Sequence, residues 1–282
     1  MFNVHKVAIG FLINAAIAYL TLGAFFYLRQ SVLIFPAPKT FAQATPADRG
    51  ISFRNLRIPV APNHELHAWW IPSTPPSDKA ILVFHGNGYV LENMVAAELP
   101  SLLDIGANLL LIDYRGYGSS SEIAPSEATV NADAEAALAW LLGQPGMQAG
   151  SVFLLGRSVG SGPATNLASK YSGLAGLILE SPFSSLDDAA AGSWIFRLYP
   201  VSFMLHTHFD NLSKMGAVRA PVLIVSGTGD RLTPKWMAEA LFARARQPKQ
   251  LYLVPGADHN NLLALGGQRL VRVTRNLIGK ER

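Results

Sequence analysis

Residues 152–162 read Val152-Phe153-Leu154-Leu155-Gly156-Arg157-Ser158-Val159-Gly160-Ser161-Gly162, and this stretch decides the fold. Four apolar residues without alternation suit a strand buried on both faces. A Gly-x-Ser-x-Gly pentapeptide follows, and residues 160–170 continue at helical spacing. A strand turning this sharply into a helix leaves no room for side chains at the positions flanking the serine, hence glycine at both. The turn lifts the Ser158 hydroxyl above the strand, at a helix N-terminus that favours developing negative charge. A nucleotide-binding glycine loop is the rival reading. The stretch lacks the Lys-Ser/Thr of a phosphate-binding loop and does not fit Gly-x-Gly-x-x-Gly, so that reading is set aside.

Outward from this turn, short apolar runs recur at residues 80–84 (AILVF), 108–112 (NLLLI), 174–179 (LAGLIL), 222–225 (VLIV) and 251–254 (LYLV). Helical stretches separate them at 92–103, 126–142, 160–170, 235–245 and 268–278. Strands alternating with helices predict a mainly parallel sheet covered on both faces. Residues 52–60 and 64–71, joined by Ala61-Pro62-Asn63, predict an antiparallel start to that sheet. The long connection 183–216 has no strand, and loops of that length are usually functional. It reads as a small cap.

A serine hydroxyl is a weak nucleophile and needs a base. Buried parallel strands deliver functional loops at their C-terminal ends, and His259 follows the last strand in Pro255-Gly256-Ala257-Asp258-His259-Asn260. The chain order serine, acid, histidine places the histidine last. The acid of that order is Asp230, directly after the strand VLIV in Ser226-Gly227-Thr228-Gly229-Asp230. Asp258 competes by adjacency, but neighbouring loop residues rarely pair through their side chains in the needed geometry. An oxyanion hole is expected from the backbone N–H groups of Asn87, in His85-Gly86-Asn87-Gly88, and Val159. This chemistry calls for no metal and no organic cofactor.

Composition narrows the setting. The chain of 282 residues is 50% hydrophobic and 15% charged, enough for one large domain with a sizeable core. The net charge of +4 is accounted for by Arg269, Arg272, Arg275, Lys280 and Arg282 against Glu281. The rest is neutral, which leaves no basic groove for nucleic acid. The tail is a solvated helix face, with attraction to an anionic membrane as the sharper alternative. There are no cysteines, which removes disulfides and thiolate chemistry. Residues 7–28 (VAIGFLINAAIAYLTLGAFFYL) carry no charge and are long enough to cross a hydrocarbon core of about 30 Å. A cleaved signal peptide fits less well, because Phe25-Phe26-Tyr27-Leu28 follows where a small-residue cleavage site belongs. Ala42-Gln43-Ala44 lies too far downstream. The expectation is an uncleaved anchor over 1–30, a linker from Ser31 to Pro38 and one catalytic domain over 31–282. Arg29 and Lys39 compete with Lys6 over orientation and leave the side of the membrane open.

These motifs, in this order, resemble the α/β-hydrolase superfamily. The chain is most similar to membrane-anchored single-domain members of bacteria and fungi, whose animal relatives include protein depalmitoylases. The residues that carry the resemblance are Leu33-Ile34-Phe35-Pro36, His85–Gly88, Asp113-Tyr114-Arg115-Gly116-Tyr117-Gly118-Ser119 and the Ser158 turn. Glu180-Ser181-Pro182-Phe183, Asp230 with Pro234, and His259 with Asn260 complete the set. The resemblance implies an eight-stranded sheet and an acyl-enzyme mechanism. Ser226-Gly227 departs from the His-Gly common in relatives, and the animal enzymes' N-terminal cysteine cluster is missing. Their protein substrates are therefore not carried over. The function expected is a membrane-tethered serine esterase or thioesterase acting on apolar acyl substrates. A peptidase or amidase of the same fold, and a non-catalytic scaffold, are the alternatives. The Asp113 motif reads as architectural, with Arg115 on a buried carboxylate. His206-Thr207-His208-Phe209-Asp210 reads as surface rather than a metal site. Trp194, Ile195, Phe196, Tyr199, Phe203 and Met204 divide between core packing and an acyl pocket.

Overall fold

A computed structural model of the chain describes residues 4–38 and 43–279. Lys39, Ala42 and the tail residues Lys280, Glu281 and Arg282, weighed above, lie outside the described residues. In chain order the elements are α1 (Val4–Ile34), β1 (Arg54–Ala61), β2 (His64–Ile71), β3 (Ala80–Phe84), α2 (Leu91–Ala97), α3 (Leu99–Leu103), β4 (Asn108–Ile112), α4 (Glu127–Leu142) and β5 (Val152–Arg157). There follow α5 (Ser161–Lys170), β6 (Gly176–Glu180), α6 (Leu186–Ala191), α7 (Val201–Met204), α8 (Asn211–Met215), β7 (Val222–Gly227), α9 (Lys235–Arg244), β8 (Lys249–Val254) and α10 (Leu262–Ile278).

The strands form one eight-stranded sheet in the order β1-β2-β4-β3-β5-β6-β7-β8. β1 and β2 pair antiparallel, as do β2 and β4, while β4 through β8 run parallel. Each central strand feeds two cores at once, because successive side chains point to opposite faces. Leu82, Phe84, Leu154, Leu177 and Ile224 pack on one face with Val130, Leu138, Leu167 and Leu241 of α4, α5 and α9. Ile81, Val83, Leu155, Ile178 and Leu223 pack on the other with Leu91, Met94, Leu99, Leu270 and Val271 of α2, α3 and α10. A strand filling two cores cannot alternate polar and apolar residues, which is why these runs are continuous in the sequence.

Three elements differ from the sequence expectation. The helix expected over 92–103 breaks at Glu98 into α2 and α3. Pro100 has no N–H to donate, and its ring collides with the carbonyl four residues back. α10 begins six residues before the expected 268 and kinks at Gly267, whose φ is 45° and ψ −141°. α1 continues to Ile34, four residues into the linker expected from Ser31, since nothing before Pro36 interrupts it. α1 is long and apolar enough to cross a membrane, and its apolar stretch is almost wholly exposed. The connection between β6 and β7 holds the short helices α6, α7 and α8, without a strand.

Candidate active site

Ser158 leaves the end of β5 with φ of 50°, in the left-handed region. For a residue with a side chain that backbone costs about 1–3 kcal/mol and persists only where surroundings enforce it. The enforcement is visible at the flanking glycines. A Cβ on Gly160 would stand 2.1 Å from the Phe84 carbonyl oxygen, and one on Gly156 2.4 Å from the Gly160 carbonyl oxygen. The turn is wedged between β3 and the start of α5, and no side chain fits at either position.

The structure brings Ser158, His259 and Asp230 together from three separate loops. Asp230 Oδ2 lies 2.8 Å from His259 Nδ1, and His259 Nε2 lies 2.9 Å from Ser158 Oγ. Asp230 is nearly fully buried, yet its pKa is lowered. Burial alone would raise it. The hydrogen bonds from His259 and Thr233, with the positive charge His259 can carry, outweigh that penalty. Oδ1 accepts the Leu232 and Thr233 backbone N–H groups, each at 2.9 Å, and Oδ2 also accepts the Thr233 hydroxyl at 2.8 Å. An ionised carboxylate only accepts, so His259 Nδ1 carries the proton and Nε2 is free to accept the Ser158 hydroxyl. Asp258 is turned away, and its Oδ1 caps the N–H groups of Asn260 and Asn261.

A second layer holds this constellation in place. Arg157, one residue before the serine, bridges Glu98 and Glu180, reaching Glu180 Oε2 at 2.8 Å. Burial alone would lower the Arg157 pKa, but the two carboxylates push it up, and the guanidinium stays charged. Behind the loop carrying Asn87, fully buried Asp113 accepts the Leu91 N–H at 3.1 Å and faces His67 and His85 at 3.3 and 3.5 Å. Burial would raise its pKa as well, but the hydrogen bond from His67 and the nearby His85 ring outweigh it and hold the carboxyl below its usual range. Tyr114 donates to the His85 carbonyl at 2.9 Å, and Arg115 pairs with buried Asp133. The Asp113 motif thus buttresses the Asn87 loop from behind. His208 pairs with Asp187 at 2.8 Å and His206 packs edge-on against Tyr27, so the His-x-His-x-Asp residues serve the cap.

Two cavities lie beside the Ser158 turn and share Asn87. One, of about 310 Å³, is almost entirely apolar, and Asn87 and Val159 are among the residues that line it. Phe196, Tyr199, Met204 and Leu205 of the 183–216 connection line it. So do Phe26, Tyr27, Gln30, Leu33 and Ile34 of α1. The other, of about 160 Å³, is more polar and is bounded by Ser158, His259, Asn260, Glu98 and Arg157.

Asn87 lines both cavities, and Val159, next to Ser158 in the chain, lines the apolar one. The residues that sequence reasoning missed are Thr233, Arg157 with Glu98, and the α1 wall. Thr233 had a signal, since an Asp with Thr three residues later is a common side-chain-to-backbone turn. Arg157 and Glu98 are far apart in sequence and had none. The α1 residues read as featureless anchor because every face of that segment is apolar.

A family model described as alpha/beta hydrolase fold matches residues 79–196. The alpha/beta hydrolase domain-containing protein 17B of Homo sapiens is 32% identical over 204 residues, covering 72% of this chain and 68% of the relative. The uncharacterized protein Rv2307c of Mycobacterium tuberculosis is 34% identical over 227 residues, covering 80% of this chain and 79% of the relative. Among solved structures, the Pyrococcus furiosus esterase Pf2001 superposes with a TM-score of 0.71 at 20% identity, covering 86% of this chain and 97% of that one. Est1E of Butyrivibrio proteoclasticus, solved with ferulic acid bound, superposes at 0.63 and 17% identity, over 79% of this chain and 97% of that one.

Proposed function

Because this chain belongs to the α/β-hydrolase family, we propose that it cleaves carboxylic esters or thioesters of apolar acyl groups through an acyl-enzyme on Ser158. The observation that carries the proposal is the unbroken hydrogen-bond chain Asp230–His259–Ser158. Ser158 Oγ attacks the acyl carbon while His259 Nε2 takes its proton. Asp230 holds the ring and stabilises the imidazolium. The backbone N–H groups of Asn87 and Val159 receive the oxyanion. As the tetrahedral intermediate collapses, His259 returns the proton to the leaving alcohol or thiol. Water, deprotonated by the same nitrogen, then attacks the acyl-enzyme and restores Ser158.

The two cavities support a division of the substrate. The apolar one receives the acyl chain, and the polar one beside Arg157, Glu98 and Asn260 receives the leaving group. α1 is read as a single membrane-spanning anchor, supported by its length and its apolar surface. A fluorophosphonate probe tests the reading. Wild type should label, and Ser158→Ala should not. Equal labelling of the two proteins would overturn it.

A further inference from the structure

We infer that the segment 192–205 is immersed in one leaflet of the bilayer and that α1 forms one wall of the acyl-chain site, so that the substrate is a long-chain ester or thioester taken directly from the membrane. The inference rests on the hydrolase and anchor readings above, and it begins with how α1 meets the rest of the protein. From Tyr19 onward α1 packs against the connection between β6 and β7. The Tyr19 and Tyr199 rings stack with centroids 4.5 Å apart, and each hydroxyl donates to a carbonyl across the contact, Tyr19 to Leu198 at 2.7 Å and Tyr199 to Tyr19 at 3.0 Å. Phe26 meets Phe196 edge-on at 5.0 Å. Gln30 clasps both ends of a turn, donating to the Met204 carbonyl at 3.0 Å and accepting from the His206 N–H at 2.7 Å.

Helix length then fixes the depth. The uncharged run starts at Val7, after Lys6, and ends before Arg29. The part below the contact, Val7 to Ala18, has 12 residues and rises only about 18 Å. A hydrocarbon core is about 30 Å thick. The stretch that packs on the connection must therefore lie in hydrocarbon too, which carries Leu198 and Tyr199 on the order of 10 Å beneath the surface. The chemistry of 192–205 fits that depth. Arg197 is its one charged residue. It is exposed, and its Nε donates to the Ala191 carbonyl at 2.9 Å, which satisfies one of its N–H groups on the backbone just before the segment. Phe203, Trp194 and Leu198 are 91%, 73% and 60% exposed, a cost in water that contact with lipid removes.

The apolar cavity opens at the upper edge of this layer, with Phe26 and Tyr27 lining it just before Arg29 and Leu33 and Ile34 just beyond it. Tyr27 and Leu33 both line it and remain close to half exposed, so the cavity reaches the surface of α1 where the leaflet meets its headgroups. An acyl chain can pass from the leaflet into the site between α1 and the connection without crossing water. Its carbonyl then arrives at Asn87 and Val159, which line the same cavity.

The test uses the full chain in phosphatidylcholine vesicles. Emission that is lost in Trp194→Phe should be quenched by brominated phosphatidylcholine and not by aqueous iodide. The reverse pattern overturns the immersion. For the wall, Leu33→Trp should lower the ratio of dodecanoyl to acetyl ester hydrolysis at least tenfold, since each excluded methylene is worth about fourfold. Phe26→Ala, which enlarges the cavity instead of filling it, should shift the preference toward longer chains. Leu12→Trp, on the part of α1 that makes no contact with the cavity, should leave the ratio unchanged. An unchanged ratio in both Leu33→Trp and Phe26→Ala overturns the wall while leaving the esterase reading intact. A wild type that cleaves neither ester fails that earlier reading instead, and the quenching result stands or falls separately.

Discussion

Replacing Asp230 with asparagine should impair the enzyme more than replacing it with alanine. Oδ1 of Asp230 is held by two backbone N–H donors, so it must remain an oxygen in the amide. The NH₂ group is thereby forced into the position of Oδ2, 2.8 Å from His259 Nδ1. There it can only donate. Nδ1 must accept, the ring proton moves to Nε2, and the nitrogen facing Ser158 at 2.9 Å can no longer take a proton. Alanine removes the same carboxylate but leaves the ring free to choose its tautomer. A net hydrogen bond of about 0.5–1.5 kcal/mol holding the wrong tautomer corresponds to as much as about tenfold in rate. With the loss of the carboxylate included, Asp230→Asn should fall about 10⁴-fold in kcat, near 5.4 kcal/mol, and Asp230→Ala about 10³-fold. Initial rates on a 4-nitrophenyl ester, with melting temperature measured to verify folding, decide the matter. If Asp230→Asn equals or exceeds Asp230→Ala, or stays within tenfold of wild type, Asp230 does not set the His259 tautomer.

Other predictions probe the scaffold. Gly160→Ala should abolish fluorophosphonate labelling, because its Cβ would lie 2.1 Å from backbone oxygen that cannot withdraw. Arg157→Met should cost about 3–5 kcal/mol by leaving Glu98 and Glu180 buried without their cation. Its melting temperature should recover as pH falls from 8 to 5, because protonation relieves the stranded carboxylates. Asp113 and Asp230 both have folded pKa values below their unfolded ones, so each adds stability above its unfolded value that is lost as pH falls through the folded one. Melting curves between pH 7 and 3 should accordingly decline less steeply in Asp113→Asn than in wild type, from a lower starting point.

Much of this molecule was legible in the sequence because parallel strands impose a harsh rule on it. A strand such as Ala80–Phe84, with Ile81 and Val83 in one core and Leu82 and Phe84 in the other, has no polar position to spare. The glycines around Ser158 were readable for a similar reason, since a Cβ on Gly160 would stand 2.1 Å from the Phe84 carbonyl oxygen. His259 and Asp230 could be placed because strand order dictates which loops converge. What stayed hidden depends on contacts between distant segments. Glu98 meets Arg157 because Pro100 breaks a helix and turns it toward β5, a geometry no local pattern encodes. The face that α1 turns toward Tyr199 cannot be recognised in a segment whose other faces are equally apolar. The small residue that admits the Tyr199 ring, Gly23, looks like any glycine of such a helix until that ring is seen against it.

The union of α1 with the body of the protein also bears on modularity. Five side chains of the apolar cavity come from residues 26–34. Trimming the chain after Arg29, the usual way to obtain a soluble sample, would remove two of them and cut the stacking that braces Tyr199. The remaining fragment would offer a cleft open along one side, and selectivity measured on it would describe the fragment. The helix read as the anchor also lines the apolar cavity, so a change made for one purpose alters the other.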